Sequence, residues 1–185
     1  EVGTVLFNHK NLQELIITCF SSHVDEVEIN SLCLGILANK KLEKLSLDFS
    51  NNIYFDDWHL KILSNMVEKM RFLSSLHLNL SYLNKPKKEH IQLIFASIRG
   101  LTFLTSLTLK FACCKRISDK ELATLSKSIE NKELKILRLD FRECYNIHDT
   151  GIKLLFKAIV KGKNLQALSL DLGDCTEISD EGFQE

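Results

Sequence analysis

The feature that most constrains this chain is an internal repeat with a period of 30 or 31 residues. A leucine marks the same point of the repeat six times, at Leu12, Leu42, Leu73, Leu104, Leu134 and Leu165. Self-similarity at such a period is typical of solenoids, in which stacked copies share one core. We therefore expect residues 1–185 to form one array, with repeats starting near residues 12, 42, 73, 104, 134 and 165, and to be a fragment of a longer chain.

Within each repeat the hydrophobic period changes once. Apolar residues stand three, five and seven positions after the marker leucine; in the fourth repeat they are Leu107, Leu109 and Phe111. Alternation of this kind describes a short strand with one buried face. Later in the repeat the apolar residues are Leu122, Leu125 and Ile129. That spacing is one stripe of an amphipathic helix, so the sequence predicts six strand–helix units.

The segments between strand and helix carry their own pattern. A cysteine, or an asparagine in the second repeat, recurs at one position, giving the ladder Asn52, Cys114, Cys144 and Cys175. Five residues after it comes an aspartate, at Asp57, Asp119, Asp149 and Asp180. An acidic side chain at a helix start satisfies free N–H groups and suits the positive end of the helix dipole. Ser118 and Glu121 also have the spacing of a capping box.

These motifs resemble leucine-rich repeats, specifically the cysteine-containing and ribonuclease-inhibitor-like subclasses. The segments LRLDFRECYNIHDTGIKLL (137–155) and LSLDLGDCTEISDEGF (168–183) carry the likeness best. The resemblance implies an α/β fold: a right-handed solenoid forming a horseshoe segment, with a parallel sheet on the concave side and helices on the convex side. It also implies that the ladder residues turn into the loops to bond backbone groups. The third repeat departs from the pattern with Leu83 and Pro86, so we expect an irregular loop there.

Charge, hydropathy and cysteine usage narrow the classes of partner. The chain has 24 basic and 24 acidic residues, which argues against nucleic acid and anionic membranes. No apolar stretch is long enough to span a bilayer. The cysteines read as free thiols of an intracellular, cytoplasmic protein. We expect no cofactor and no small-molecule substrate.

Catalytic and metal sites are not indicated by any motif. A ladder of single cysteines does not converge on one ion, as a zinc site requires, so we expect no metal. None of the six histidines lies in a nucleophile signature, and no phosphate-binding glycine motif occurs. The sequence therefore favours a protein that is not an enzyme.

The outward side of the predicted sheet is the candidate binding surface. Residues that alternate with the buried leucines face outward, and repeat proteins commonly bind through this extended surface. The candidate residues are Asp48, His77, Asn79, Lys110, Arg138, Asp140, Arg142 and Asp171. Surface residues that merely pair across neighbouring strands would give the same pattern.

We predict a non-catalytic scaffold that presents this concave surface to another protein. The family resemblance leaves three other roles open. These are the substrate-receptor part of an F-box-type ubiquitin ligase, a regulatory domain associated with GTPase activation or a kinase, and a fixed structural subunit of a large assembly such as a cilium. Because fold alone does not imply function, the partner and the pathway stay open at this point.

Overall fold

A computed structural model describes residues 2–184. The strands have five residues each and are β1 (Glu14–Thr18), β2 (Lys44–Asp48), β3 (Ser75–Asn79), β4 (Ser106–Lys110), β5 (Ile136–Asp140) and β6 (Ala167–Asp171). The helices are α1 (Val2–Asn8), α2 (Glu26–Ala38), α3 (Asp57–Lys69), α4 (Lys88–Ser97), α5 (Asp119–Ile129) and α6 (Asp149–Val160). Short 3₁₀ turns cover Ile98–Gly100 and Asp180–Phe183.

The strands form one parallel sheet in sequence order, from β1 to β6. Each strand pairs with the next in the same register, so Leu45 lies between Leu15 and Leu76. Every β-strand is joined to the next by a helix, which is the connection that parallel strands need. The predicted α/β solenoid, with a parallel sheet on one side and helices on the other, is confirmed. Helix α1, which precedes the first marker leucine, was not predicted.

The core lies between the sheet and the helices and runs continuously through the repeats. The strand leucines and the helix stripe are buried together because no single strand–helix unit can cover its own apolar face. Phe95 from α4 forms the centre of an aromatic cluster in this core. Its ring centroid lies 5.0 Å from that of Phe111 and 6.3 Å from that of Phe141, so three successive repeats meet there.

The loops that follow the strands share one backbone shape. In every repeat one residue has φ between 50° and 65°, and these residues are Ser21, Asn51, Tyr82, Cys113, Glu143 and Asp174. The third loop keeps this conformation at Tyr82. It is irregular further on, as expected, because Pro86 has no N–H to make the bond that Ile117 donates to the Cys114 carbonyl. Leu83 and Pro86 are both buried, so they fill the places that cysteine and isoleucine occupy in neighbouring loops.

The difference between 30 and 31 residues is taken up outside the sheet. The first and fourth repeats are one residue shorter than the others. In the fourth, Asn131, in the turn between α5 and β5, adopts φ 62°. Asparagine tolerates this left-handed conformation better than most residues. The register of β4 and β5 is therefore the same as that of the other pairs.

Candidate functional site

The candidate residues lie on the outward side of the sheet, which we call the concave face. Strand pairing aligns them in columns. One column contains Thr18, Asp48, Asn79, Lys110, Asp140 and Asp171, and a second contains Ile16, Ser46, His77, Thr108, Arg138 and Ser169. Arg142 follows β5 and lies beside the first column. The structure thus brings Lys110, Arg138, Asp140, Arg142 and Asp171 together, while Asp48, His77 and Asn79 lie on the preceding strands.

Four members of the first column hold the ends of their own strands. The side-chain oxygen of Asp48 accepts a hydrogen bond from the backbone N–H of Ser50, two residues on, at 2.9 Å. The side-chain oxygens of Asn79, Asp140 and Asp171 accept in the same way from the backbone N–H two residues on. These distances are 3.2, 3.2 and 3.1 Å. Short side chains of this kind bond the backbone two residues ahead and so form a turn. The column therefore has a structural role, which its position at the strand ends could have indicated.

Asp48 accepts three hydrogen bonds in all. Besides the bond from Ser50 N–H, it accepts from Ser50 Oγ–H at 2.5 Å and from Asn79 Nδ2–H at 3.0 Å. Partial burial acts to raise the pKa of Asp48. The hydrogen bonds from Ser50 and Asn79 outweigh it, so the pKa is lowered below its ordinary value.

The lowered pKa of Asp48 makes part of the stability depend on pH. A carboxyl with a lower pKa in the folded chain contributes stability that is present above the unfolded value, about 3.9. This contribution is lost as the pH falls through the folded value. We expect the free energy of unfolding, measured in urea, to fall from about pH 5 to about pH 3. The fall should be smaller in Asp48→Asn, which has no carboxyl at this position, and an equal fall in both proteins would contradict the prediction.

Arg142 forms a fixed polar group with two aspartates. Its Nε and Nη2 donate to the two carboxylate oxygens of Asp140 at 3.0 and 2.9 Å, and its Nε lies 3.2 Å from Asp171 Oδ2. Contact with both carboxylates raises the pKa of Arg142 above its ordinary value, with the Asp140 hydrogen bonds as the main cause. Bidentate pairing adds geometric definition, so this group is held in one arrangement.

A shallow hollow of about 160 Å³ lies beside this polar group. Its charged lining comprises Lys110, Arg138, Asp140 and Asp171. Arg138 is exposed and Lys110 is half-buried, and neither forms an ion pair with any residue between 2 and 184. On the neighbouring strand, burial and the charge of Lys110 lower the pKa of His77, and Asp48 only partly opposes this.

The ladder cysteines point into the loops. The thiols of Cys114, Cys144 and Cys175 donate to backbone carbonyls of the preceding repeat at 3.2, 3.3 and 3.1 Å. Burial raises the pKa of the Cys114 thiol to about 12 and also raises that of Cys144. These protonated thiols therefore serve as weak hydrogen-bond donors between repeats. Asn52 holds the equivalent buried place, and its Oδ1 accepts from Tyr54 N–H at 3.3 Å.

The aspartates at the helix starts bond the following repeat. Oδ1 of Asp57, Asp119 and Asp149 accepts the backbone N–H of Lys87, His148 and Ser179 at 2.6, 2.8 and 2.8 Å. Each donor is the residue just before the next helix or 3₁₀ turn. The sequence predicted these aspartates at helix starts. It did not reveal that their side-chain oxygens accept hydrogen bonds from the next repeat. Asp180 begins the 3₁₀ turn at the end of the described chain.

Glycine makes room for these bonds between repeats. A Cβ atom on Gly151 would lie 2.5 Å from Asp119 Oδ1, and one on Gly182 would lie 2.6 Å from Asp149 Oδ1. Both distances are far below a van der Waals contact. The recurrence of glycine two residues after the aspartate was visible in the sequence and is the feature that could have revealed this contact.

Two further observations concern the described chain. Across residues 2–184, no three or more His, Cys, Asp or Glu side chains are grouped so that they could hold a metal ion. Over the same range, none of the helices combines the length and hydropathy that crossing a membrane requires.

Comparison with known proteins supports the architecture. No family model matches the sequence, and no curated protein is detectably similar to it. Among solved structures, the tropomodulin C-terminal domain of Caenorhabditis elegans is similar, with a TM-score of 0.63 and 17% sequence identity. The match covers 88% of this chain and 93% of that domain. This likeness supports a fold of the leucine-rich-repeat type and does not extend to the cysteine-containing subclass.

Proposed function

We propose that the chain is a non-catalytic module that presents its concave face to another protein. The observation that carries this proposal is the group of Lys110 and Arg138 beside the Asp140–Arg142–Asp171 network. A surface that is already ordered loses little conformational entropy when a partner binds. One continuous core through all six strands supports treating residues 1–185 as a single array.

The chemistry of this surface favours a partner with an acidic side chain. The exposed guanidinium of Arg138 can bind a carboxylate through two parallel hydrogen bonds. Lys110 lies on the adjacent strand and adds a second positive charge at the same hollow. Arginines in the centre of an interface are frequently the residues that carry most of the binding energy.

Three further features accompany the proposal. The raised pKa values of the buried ladder thiols make them poor nucleophiles, which supports a role without catalysis. The thiol-to-carbonyl hydrogen bonds support assignment to the cysteine-containing subclass of leucine-rich repeats. We keep a cytoplasmic location as part of the proposal because free thiols persist in reducing compartments.

A double charge reversal, Lys110→Glu with Arg138→Glu, tests the concave face. We expect proteins that co-purify with the wild type from its own cells to be lost, because the variant repels an acidic partner. Mass spectrometry identifies the partner, and titration with the purified partner should show affinity at least about tenfold lower.

The matched control is Lys120→Glu with Lys153→Glu, which makes the same charge change on exposed positions of α5 and α6. We expect this variant to retain the partner. Urea unfolding of both variants separates lost binding from lost folding. Equal binding by wild type and the concave variant would refute the concave site.

A fixed structural subunit is the second candidate. The helices expose several large apolar side chains on their outer surface, among them Val27, Leu34 and Leu93, which are 76, 49 and 42% exposed. Permanent interfaces are more apolar than transient ones. Under this alternative the partner would stay bound to the chain when the salt concentration is raised. Binding through the charges of Lys110 and Arg138 would weaken under the same change.

A further inference from the structure

We propose that the edge of the sheet opposite the strand-end loops is a second binding surface, for an acidic peptide segment that carries a large apolar side chain. This surface lies where the helices lead back into the strands. We call it the basic–aromatic edge, and it comprises Lys40, Lys41, Lys69, Arg71, Phe72 and Phe103. None of these residues belongs to the concave face, so the inference is independent of the function proposed above.

Two exposed phenylalanines are the first observation. Phe72 and Phe103 are 65 and 62% exposed, and their rings stack with centroids 6.2 Å apart and planes at 16°. Both directly precede a marker leucine. The other repeats have polar residues at this position, namely Asn11, Lys41, Glu133 and Asn164. The repeat therefore folds without an aromatic residue here, and the adjacent pair has no role in the core.

Two hollows lie beside Phe72, and Lys40 lines both of them. One, of about 200 Å³, has an apolar floor that includes Ile36, Leu42 and Met70. The other, of about 400 Å³, is lined by Phe72 and Phe103 together with polar side chains. A surface with apolar recesses and a polar rim suits a peptide whose side chains insert into it. A lipid surface has no side chains to insert into such recesses, so a peptide is the occupant that we propose.

Positive charge surrounds these hollows. Lys40, Lys41, Lys69 and Arg71 line them together with one acidic residue, Glu43. The whole chain has no net charge, so this is a local concentration. None of the four cations forms an ion pair with any residue that the structure describes. Cations near helix C-termini also stabilise the helices. Charge alone would therefore not indicate a binding site, but charge around an exposed aromatic pair does.

A peptide-display experiment tests the proposal directly. A library of random peptides is displayed and selected for binding to the full chain. The comparison protein is the double variant Phe72→Lys with Phe103→Asn, which substitutes residues that sister repeats carry at the same position. We expect the enriched peptides to combine Asp or Glu with an aromatic or leucine residue. As synthetic fluorescent peptides, they should bind the variant at least about tenfold more weakly by anisotropy.

Further variants make the result specific. Lys40→Glu with Arg71→Glu should weaken binding and remove much of its salt dependence. Lys110→Glu with Arg138→Glu should leave binding unchanged, which separates this edge from the concave face. Urea unfolding compares the stability of the aromatic double variant with that of the wild type. If the double variant is not folded without urea, the single variant Phe103→Asn is used in its place.

Several results would overturn the inference. These are equal binding of the peptides by the aromatic variant, enrichment of peptides without acidic residues, and no enrichment at all. A different occupant would also overturn it. In that case no peptide binds, and the aromatic variant is weaker than the wild type in binding anionic vesicles, in binding an oligothymidine probe, or in self-association measured by sedimentation velocity. In those cases the edge serves a membrane, a nucleic acid or a second copy of the chain.

Discussion

Replacing Phe95 with alanine is expected to lower the free energy of unfolding by about 3–5 kcal/mol. The side chain of Phe95 is fully buried and contacts the rings of Phe111 and Phe141 from the two following repeats. Its removal loses the transfer energy of the ring and leaves a cavity in a core that cannot fully collapse. Because native domains are only marginally stable, a loss of this size removes a large part of the total.

Urea unfolding followed by circular dichroism measures this loss. The matched control is Phe103→Ala, which removes the same ring from an exposed position and should change stability by less than about 0.5 kcal/mol. Phe95→Leu should fall between the two, because a smaller cavity remains. Similar losses for Phe95→Ala and Phe103→Ala would show that the cluster does not stabilise the core.

Glu121→Ala is expected to cost about 2–4 kcal/mol, although glutamate is ordinarily a surface residue. Its side chain is fully buried. One carboxylate oxygen accepts from Ser118 N–H at 2.9 Å and Ser118 Oγ–H at 2.6 Å, and the other accepts from Gln92 Nε2–H at 2.9 Å. Truncation leaves these donors without an acceptor, removes the bonds from Glu121 to the N-cap residue Ser118 and breaks a link between repeats.

The first repeat supplies a control for Glu121. Glu28 has the same place in α2 and accepts from Asp25 N–H at 3.1 Å, but it is exposed. Glu28→Ala should therefore cost only about 0.5–1 kcal/mol, the amount typical of a helix cap. Thermal or urea unfolding of both variants gives the comparison. Equal losses would mean that capping, and not burial, accounts for the effect of Glu121.

The repeat pattern was sufficient to predict the sheet and its register. Leucines at alternate positions allow one buried face, and a shift of one residue would have exposed all of them. The same reasoning placed the helix stripes, including Leu122 and Leu125 in α5. Helix α1 was not predicted because its apolar stripe is short: only Gly3 and Leu6 of Val2–Asn8 are buried. In the structure it is the counterpart of the later helices, since Leu6 stands six residues before Leu12 as Ile36 stands before Leu42, and α1 packs against α2.

The polar contacts between repeats could not be read from one repeat alone. The position of Glu121 is taken by His59, His90, Gly151 and Gly182 in other repeats, so residue type gave no indication of burial. Whether a donor is satisfied within its own repeat or by the previous one becomes visible only when repeats are stacked. For the concave face, the spacing gave the columns but did not show that Asp48 and Asp140 hold strand ends and leave Arg138 as the free charge.

The constant register of the sheet has a consequence for how such a chain evolves and can be engineered. Each strand meets the next in the same alignment, and length differences are confined to turns such as the one at Asn131. A whole repeat can therefore be duplicated, deleted or exchanged while its neighbours keep their contacts. Exchange of the second and third repeats, residues 42–103, would transfer the Phe72–Phe103 pair as a unit, because each ring directly precedes a marker leucine. Repeats with a polar residue at this position would then serve as the background without the pair.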